Sequence, residues 1–383
     1  MVGYHDNLRK TRSSSSFHLD KEIQMAHRSV VSVGEFAALT AVLALVATVP
    51  AAGQAPSTAK TSGAAAKAYT PPRTPDGQPD LSGYWTNASY TPLERPKNVT
   101  KEFYTPEEVA AAEQRAAALE AEQTVPGTVP DVHYDDGQFG LAKSQATFAR
   151  NLRTSLIVDP PDGRIPAQIP EAVARNRAIA AARKLRGGQL DTVKNMGYDD
   201  RCIIMVGTAP PIFNPGYLSN YQIIQSPGYV TILVERLHDA RIIPLDGRPF
   251  PPSNVRSWRG VSRGRWEVNT LVVETRNSNG KVQEAAVGPI GNGSIDGATP
   301  DLRVVERFTR VDANTMEYRF TLEDEKTWPR PFTAEIPFVK MDPQGPFFEM
   351  ACHEGNRSVP NMLAGARHQE KLAAEAAAKK SSN

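Results

Sequence analysis

The chain has 383 residues, and its 44 basic and 42 acidic side chains leave a formal charge of +2 at pH 7. Charges of both signs are mixed along it, so it lacks the broad field that draws a protein onto nucleic acid or an anionic membrane, and no nucleic-acid partner is expected. There are only two cysteines, Cys202 and Cys352, which excludes a disulfide-dense mini-protein scaffold.

A basic stretch (Arg9, Lys10, Arg12, Lys21, Arg28) leads into an apolar run from Phe36 to Val49 and then small residues from Ala51 to Ala55, the layout of a secretory signal. The run has 14 residues, whereas a helix needs roughly 20 to cross the bilayer core. A signal over 1–55 is therefore expected, with no permanent membrane anchor, and Met25-Ala26-His27-Arg28 makes Met25 an alternative start. Residues 56–75 read as a flexible linker. The expected destination is the periplasm or the extracellular space. In such an oxidising compartment an isolated cysteine pair favours a bridge, the alternative being two separate buried thiols.

The domain proper spans 76–367. Turn chemistry from Asp76 to Gly83 runs into Tyr84-Trp85, a first strand or edge plug. Thr105-Pro106-Glu107-Glu108 is a capping box with proline at the first helical position, predicting a helix over 106–123. A long Pro/Gly/Asp-rich loop follows over 124–150. Leu152–Val158 reads as a strand, and 170–186 as a helix stopped by Gly187-Gly188. From Tyr221 onward strands and short turns alternate: Met316, Tyr318, Phe320 and Leu322 point one way and Glu317, Arg319 and Thr321 the other, a scheme that Phe332, Ala334, Ile336 and Phe338 repeat. Asp312-Ala313-Asn314 reads as one hairpin turn, and Ser262-Arg263-Gly264 as another between Val255–Val261 and Arg265–Arg276. Sequential hairpins imply a mainly β, antiparallel meander of about eight strands, closed or curled into a lipocalin-like barrel with two or three peripheral helices. Residues 368–383 form a charged, Ala-rich tail.

Several blocks resemble an uncharacterised family of secreted bacterial proteins: Arg153–Gly163, His238–Ile243, Arg265–Thr275, Val305–Arg310, Ala351–Asn356 and Asn361–Arg367. The likeness runs from Asp76 to Arg367 and implies kinship and export, not a particular chemistry. The chain departs from the family pattern at Val268-Asn269, where Gly-Asp is usual. The Trp266…Leu271-Val272-Val273 strand is loosely similar to lipocalin-like barrels, which is an analogy of fold alone.

Two polar turns carry the candidate chemistry. Cys352-His353-Glu354-Gly355-Asn356 follows the apolar stretch Phe347–Ala351, and His353 there is suited to proton transfer near neutral pH. A structural role, with Cys352 bridged and His353, Glu354 and Asn356 satisfying the turn, fits the same residues. His238, Asp239 and Arg241 follow the strand Tyr229–Val234; neighbours on a strand face opposite ways, so His238 and Asp239 share a target only if the chain bends there. Glu306 shares the interior face with Val304 and Phe308, where a carboxylate needs a partner: Arg241, Arg303, Arg307 or Arg319, unless it lines a ligand cavity or the register slips by one. Trp258 and Tyr221 are candidate ligand-stacking rings, or core packing.

There is no His-Glu-x-x-His, Cys-x-x-Cys, Gly-x-Ser-x-Gly or phosphate-binding glycine loop. No cofactor is expected and no metal site is legible, although distant residues such as His238, His353 and Glu354 leave no spacing pattern. The leading expectation is an acid/base hydrolase or lyase acting on a small-molecule or oligosaccharide ligand in a barrel cavity. Its proton carriers are His353 and His238, assisted by Glu306 or Glu354, with Arg241 stabilising developing negative charge and Asp239 and Asn356 contacting the ligand. The alternative is a non-catalytic lipocalin-like binding protein for an apolar or aromatic ligand; an envelope assembly module is a third. The sequence leaves the oligomeric state open.

Overall fold

Ten strands form the sheet, with period-two alternation of burial clearest in the last three: β1 (Gly83–Thr86), β2 (Ile157–Asp159), β3 (Asn220–Ser226), β4 (Tyr229–Val234), β5 (Asp239–Pro244), β6 (Val261–Glu267), β7 (Thr270–Arg276), β8 (Arg303–Arg310), β9 (Thr315–Glu323) and β10 (Phe332–Lys340). The computed structural model describes residues 69–89, 91–111, 114, 152–213, 218–281, 297–341 and 347–381. The expected signal sequence, the linker up to 68, the helix beyond 111 except for 114, and the 124–150 loop lie outside the described residues. Helix α1 (Pro170–Leu185) and helix α2 (Ser358–Ser381) complete the framework, with helical turns at 106–111. Thr105 and Glu108 form the expected capping box, the Glu108 backbone N–H donating to the Thr105 hydroxyl and the Thr105 N–H to the Glu108 carboxylate.

The strands lie in the order β5-β4-β3-β1-β10-β9-β8-β7-β6, and β2 adds to β10 off this path. Every pairing along the path is antiparallel. The path has nine strands, an odd number, so its two end strands run in the same direction. β5 and β6 come side by side without a hydrogen-bonded ladder, leaving a nearly closed barrel with one unsealed seam. This is the expected antiparallel meander.

The interior is filled by aromatic rings. Tyr318 packs against Phe308, Phe338 and Phe320 with centroids 4.8, 5.3 and 5.6 Å apart, and Tyr221 lies 5.4 Å from Phe338. Trp85 of β1 is fully buried and donates to the Leu81 carbonyl, and the segment from Asp76 runs into the expected first strand, which pairs with β3 and β10. Arg310 ties the segment before β1 to the β8–β9 turn, donating to the carbonyls of Asp80 and Ala313. On the outer wall of β6–β10 the charges alternate: Arg303 pairs with Glu274 and Glu323, Arg307 with Glu267, and Arg319 with Glu335.

Four local expectations are corrected. Ser262-Arg263-Gly264 is not a turn but lies inside β6; the hairpin turn is Val268-Asn269, and Val255–Val261 is not a strand. The glycine that suggested a turn is there because β5 packs on it: a Cβ on Gly264 would come within 2.6 Å of Leu245 and 2.8 Å of Ile243. Phe347–Ala351 forms no strand, its residues 347–350 running without regular structure. The C-terminal tail is continuous with α2, which starts ten residues earlier and is helical because its Ala, Leu, Lys and Glu content favours helix.

Candidate functional site

Arg241 and Glu306, read separately in the sequence, meet inside the barrel. The Arg241 guanidinium forms a fork on Glu306, one arm at 3.0 Å and the other in a short ion pair, with Glu306 fully buried and Arg241 nearly so. Arg241 also donates to the Ser262 hydroxyl at 2.9 Å and the Thr275 hydroxyl at 2.8 Å. Tyr318 donates to Glu306 at 2.9 Å while accepting the Ile212 backbone N–H at 2.8 Å. Burial, reinforced by the neighbouring Glu306 charge, pushes the Tyr318 hydroxyl well above its ordinary value, so it stays a donor.

Bidentate pairing with further hydrogen bonds is what a buried ion pair requires. The cluster has a second consequence: Arg241 lies on β5, Ser262 on β6, Thr275 on β7 and Glu306 on β8, so one side chain spans the seam that the backbone leaves open. Of the other expected partners of Glu306, Arg303, Arg307 and Arg319 all face outward onto different carboxylates.

At the end of the barrel where β4 gives way to β5, Leu237 and His238 both adopt left-handed backbone conformations, with φ of 62° and 51°. The chain bends there, as a shared target for His238 and Asp239 requires. Asp239 nevertheless pairs with Arg259, whose Nε donates to the Thr208 carbonyl. His238 turns a buried Nε2 without a hydrogen-bond partner into the same end, within electrostatic reach of Glu235. Glu235, fully buried, accepts from the Phe348 N–H at 2.9 Å and from Asn220 at 2.8 Å. Burial drives its carboxyl above the ordinary value, against the downward pull of these bonds and of His238.

Cys202 and Cys352 form a disulfide with Cα atoms 5.8 Å apart. Asn356 donates to the Asp200 carbonyl and the Cys202 sulfur, and accepts the Val359 N–H at the start of α2. His353 and Glu354 are exposed on this turn, and neither shares a hydrogen bond or ion pair with Glu306, Arg241 or His238. Trp258 packs edge-on against Tyr198 at 5.1 Å, whereas Tyr221 is a core ring whose hydroxyl burial pushes far up. Of the sequence-derived set, Arg241 and Glu306 thus form one cluster, His238 and Asp239 sit at the β4–β5 bend with Glu235 and Arg259 as their neighbours, and His353, Glu354 and Asn356 belong to the disulfide turn.

One concave feature had not been expected. Between the C-terminal end of α1 and the 187–201 loop is an open cleft of about 500 Å³, lined by Arg183, Lys184, Arg186, Lys194, Tyr198 and Arg201 among others. The sequence signal was the local excess of basic residues, which a reading for paired acids and histidines passes over. Glu235 was missed because nothing in the sequence distinguishes a buried acid after an apolar strand from a solvated one. Among the described residues, no three His, Cys, Asp or Glu side chains converge as a metal-ligand set, and no helix is long and apolar enough to cross a membrane. Comparison with known proteins finds no family model and no curated protein that matches this chain.

Proposed function

We propose that this is an exported, non-catalytic binding protein that takes a small ligand outside its barrel, in the cleft between α1 and the 187–201 loop. One contrast carries the reading: the acid nominated for proton transfer, Glu306, is fully buried and occupied by Arg241 and Tyr318, while a cleft large enough for a small molecule stands open beside the barrel. The aromatic filling of the interior also argues against an internal ligand. The disulfide fits an oxidising compartment. The ion-paired outer wall of β6–β10 suits water, where a transmembrane barrel would carry an apolar band.

The test is a thermal-shift screen of small carboxylates, phosphates, sugars and aromatic compounds, with the ligand recovered and weighed by mass spectrometry. A saturable rise in Tm with the ligand unchanged is expected. Conversion of the ligand to product sinks the reading.

The unpartnered Nε2 of His238 next to Glu235 favours a second reading, the acid/base enzyme. There His238→Ala and Glu235→Gln abolish turnover of an identified substrate in a protein that still folds. Undiminished turnover in both removes it.

A further inference from the structure

The barrel-side cleft has a charge composition unlike the rest of the chain. Arg183, Lys184, Arg186, Lys194 and Arg201 line it, against Asp199 as the acid in the wall, in a protein whose overall charge is only +2. Cations in the last turn of a helix commonly complement its negative end, and Arg183 and Lys184 sit in that turn of α1. That explanation does not extend to Lys194 and Arg201, which the loop contributes from the opposite side.

Nor is the negative end left bare. The Arg183 and Lys184 carbonyls accept from the backbone of Arg186 and Gly187, and Asn195 donates to the carbonyls of Arg186 and Gly188. The nearby acids are turned to other work: Asp191 accepts from the Gly188 N–H and lies by Arg367, and Asp200 accepts from the Gly197 N–H and Gln189. Arg201 is half-buried and held over the Tyr198 ring at 4.9 Å, with its Nε on the Gly197 carbonyl. The floor is thus a fixed, stacked guanidinium, and Lys184, Arg186 and Lys194 are exposed at the rim.

The loop that carries this floor is also braced. The Cys202–Cys352 bridge, the Asn356 bond to the Asp200 carbonyl, and Arg367 bonds to the carbonyls of Leu190 and Asp191 tie both of its ends to the C-terminal segment. A site held in place before the ligand arrives loses less entropy on binding.

We infer that the cleft binds a small multivalent oxyanion, a molecule carrying two or more phosphate or carboxylate groups, with Arg201 gripping one group on the floor and Lys184, Arg186 and Lys194 the others at the rim. A planar guanidinium takes two oxygens of one group, and rim lysines act as point charges that a second group can reach. This inference rests on the binding reading above and names the ligand class of that cleft.

Calorimetric titration of the full chain with pyrophosphate, benzene-1,3,5-tricarboxylate and inorganic phosphate tests it. Pyrophosphate or the tricarboxylate should bind more tightly than inorganic phosphate, and whichever binds better identifies the group. The exposed rim pair Lys184→Gln/Lys194→Gln should weaken that binding by roughly 10-fold or more, whereas the charge-matched pair Lys97→Gln/Lys380→Gln, outside the cleft, should not change it. Raising the salt from about 0.1 to 1 M shortens the screening length from roughly 10 to 3 Å and should weaken it too. Equal affinity in the two double variants, or no binding of any of the three anions, overturns the inference. If a neutral ligand from the thermal-shift screen binds instead and is lost in Tyr198→Ala, the binding reading survives without it; product formation removes the binding reading itself.

Discussion

Glu306 shows what one buried charge demands of its surroundings. It is met by both arms of Arg241 and by Tyr318, and removing one member leaves the other charge buried and unpaired. Glu306→Gln should therefore cost roughly 3–5 kcal/mol in urea unfolding, while Arg241→Met with Glu306→Leu should recover most of that loss. A double variant no more stable than the single one would show that the pair contributes more than mutual neutralisation. Val268 makes the opposite point. It holds φ at 55° in the β6–β7 turn with 88% of its surface exposed, so a β-branched side chain bears left-handed strain and packs on little. Since that conformation costs an L-residue roughly 1–2 kcal/mol and asparagine tolerates it better, Val268→Asn should raise stability by about 1 kcal/mol. An unchanged or lower denaturation midpoint would refute the strain account.

Between elements, the seam is the weak line. The end strands run parallel and share no ladder, so contact depends on side chains: Arg241 reaching across, and Ile243 and Leu245 resting on Gly264. Gly264→Ala places a methyl in that contact and should destabilise by roughly 1–3 kcal/mol. Hydrogen exchange should then rise first in β5 and β6; a loss spread evenly over the barrel would contradict a local wedge. The bend between β4 and β5 makes a pH prediction. Burial raises the folded-state pKa of Glu235 above its ordinary 4.5, so the protonated form is the one the fold prefers. Its contribution is fully present below the ordinary carboxyl value and is lost as pH rises through the raised folded value. The stability difference between wild type and Glu235→Gln should accordingly be flat below pH 4.5 and fall as pH climbs above it. A difference that grows over that range would mean the hydrogen bonds from Phe348 and Asn220 outweigh desolvation.

At the scale of the molecule, the disulfide ties residues 150 apart in sequence and joins the cleft loop to the segment that begins α2. Constraining so long a loop in the unfolded chain is worth roughly 4–5 kcal/mol in the entropy model, and measured losses on removing such bridges run at about 2–5 kcal/mol. Cys202→Ser/Cys352→Ser should lose that much in guanidinium unfolding, and reductant should have no further effect on it. A loss confined to the cleft and α2, with the barrel transition unchanged, would show instead that the bridge fastens only a peripheral unit.

The strand periodicity was legible because period-two alternation is a local property: Met316 to Leu322 and Phe332 to Phe338 each expose the same face whatever lies opposite. The inward position of Glu306 followed from the same rule, and the cysteine pairing from there being two in the chain. The turn at Val268-Asn269 was misread because Gly264 carries a turn signal, while the need for glycine there comes from Ile243 on β5 and Leu245 just after it. The choice of Arg241 over three other arginines, the seam it spans, and the separation of His353 from Glu306 likewise depend on which strands become neighbours. Side-chain periodicity fixes which face a residue occupies, but the cleft and the buried pair were decided only when strands and loops far apart in sequence came together in space.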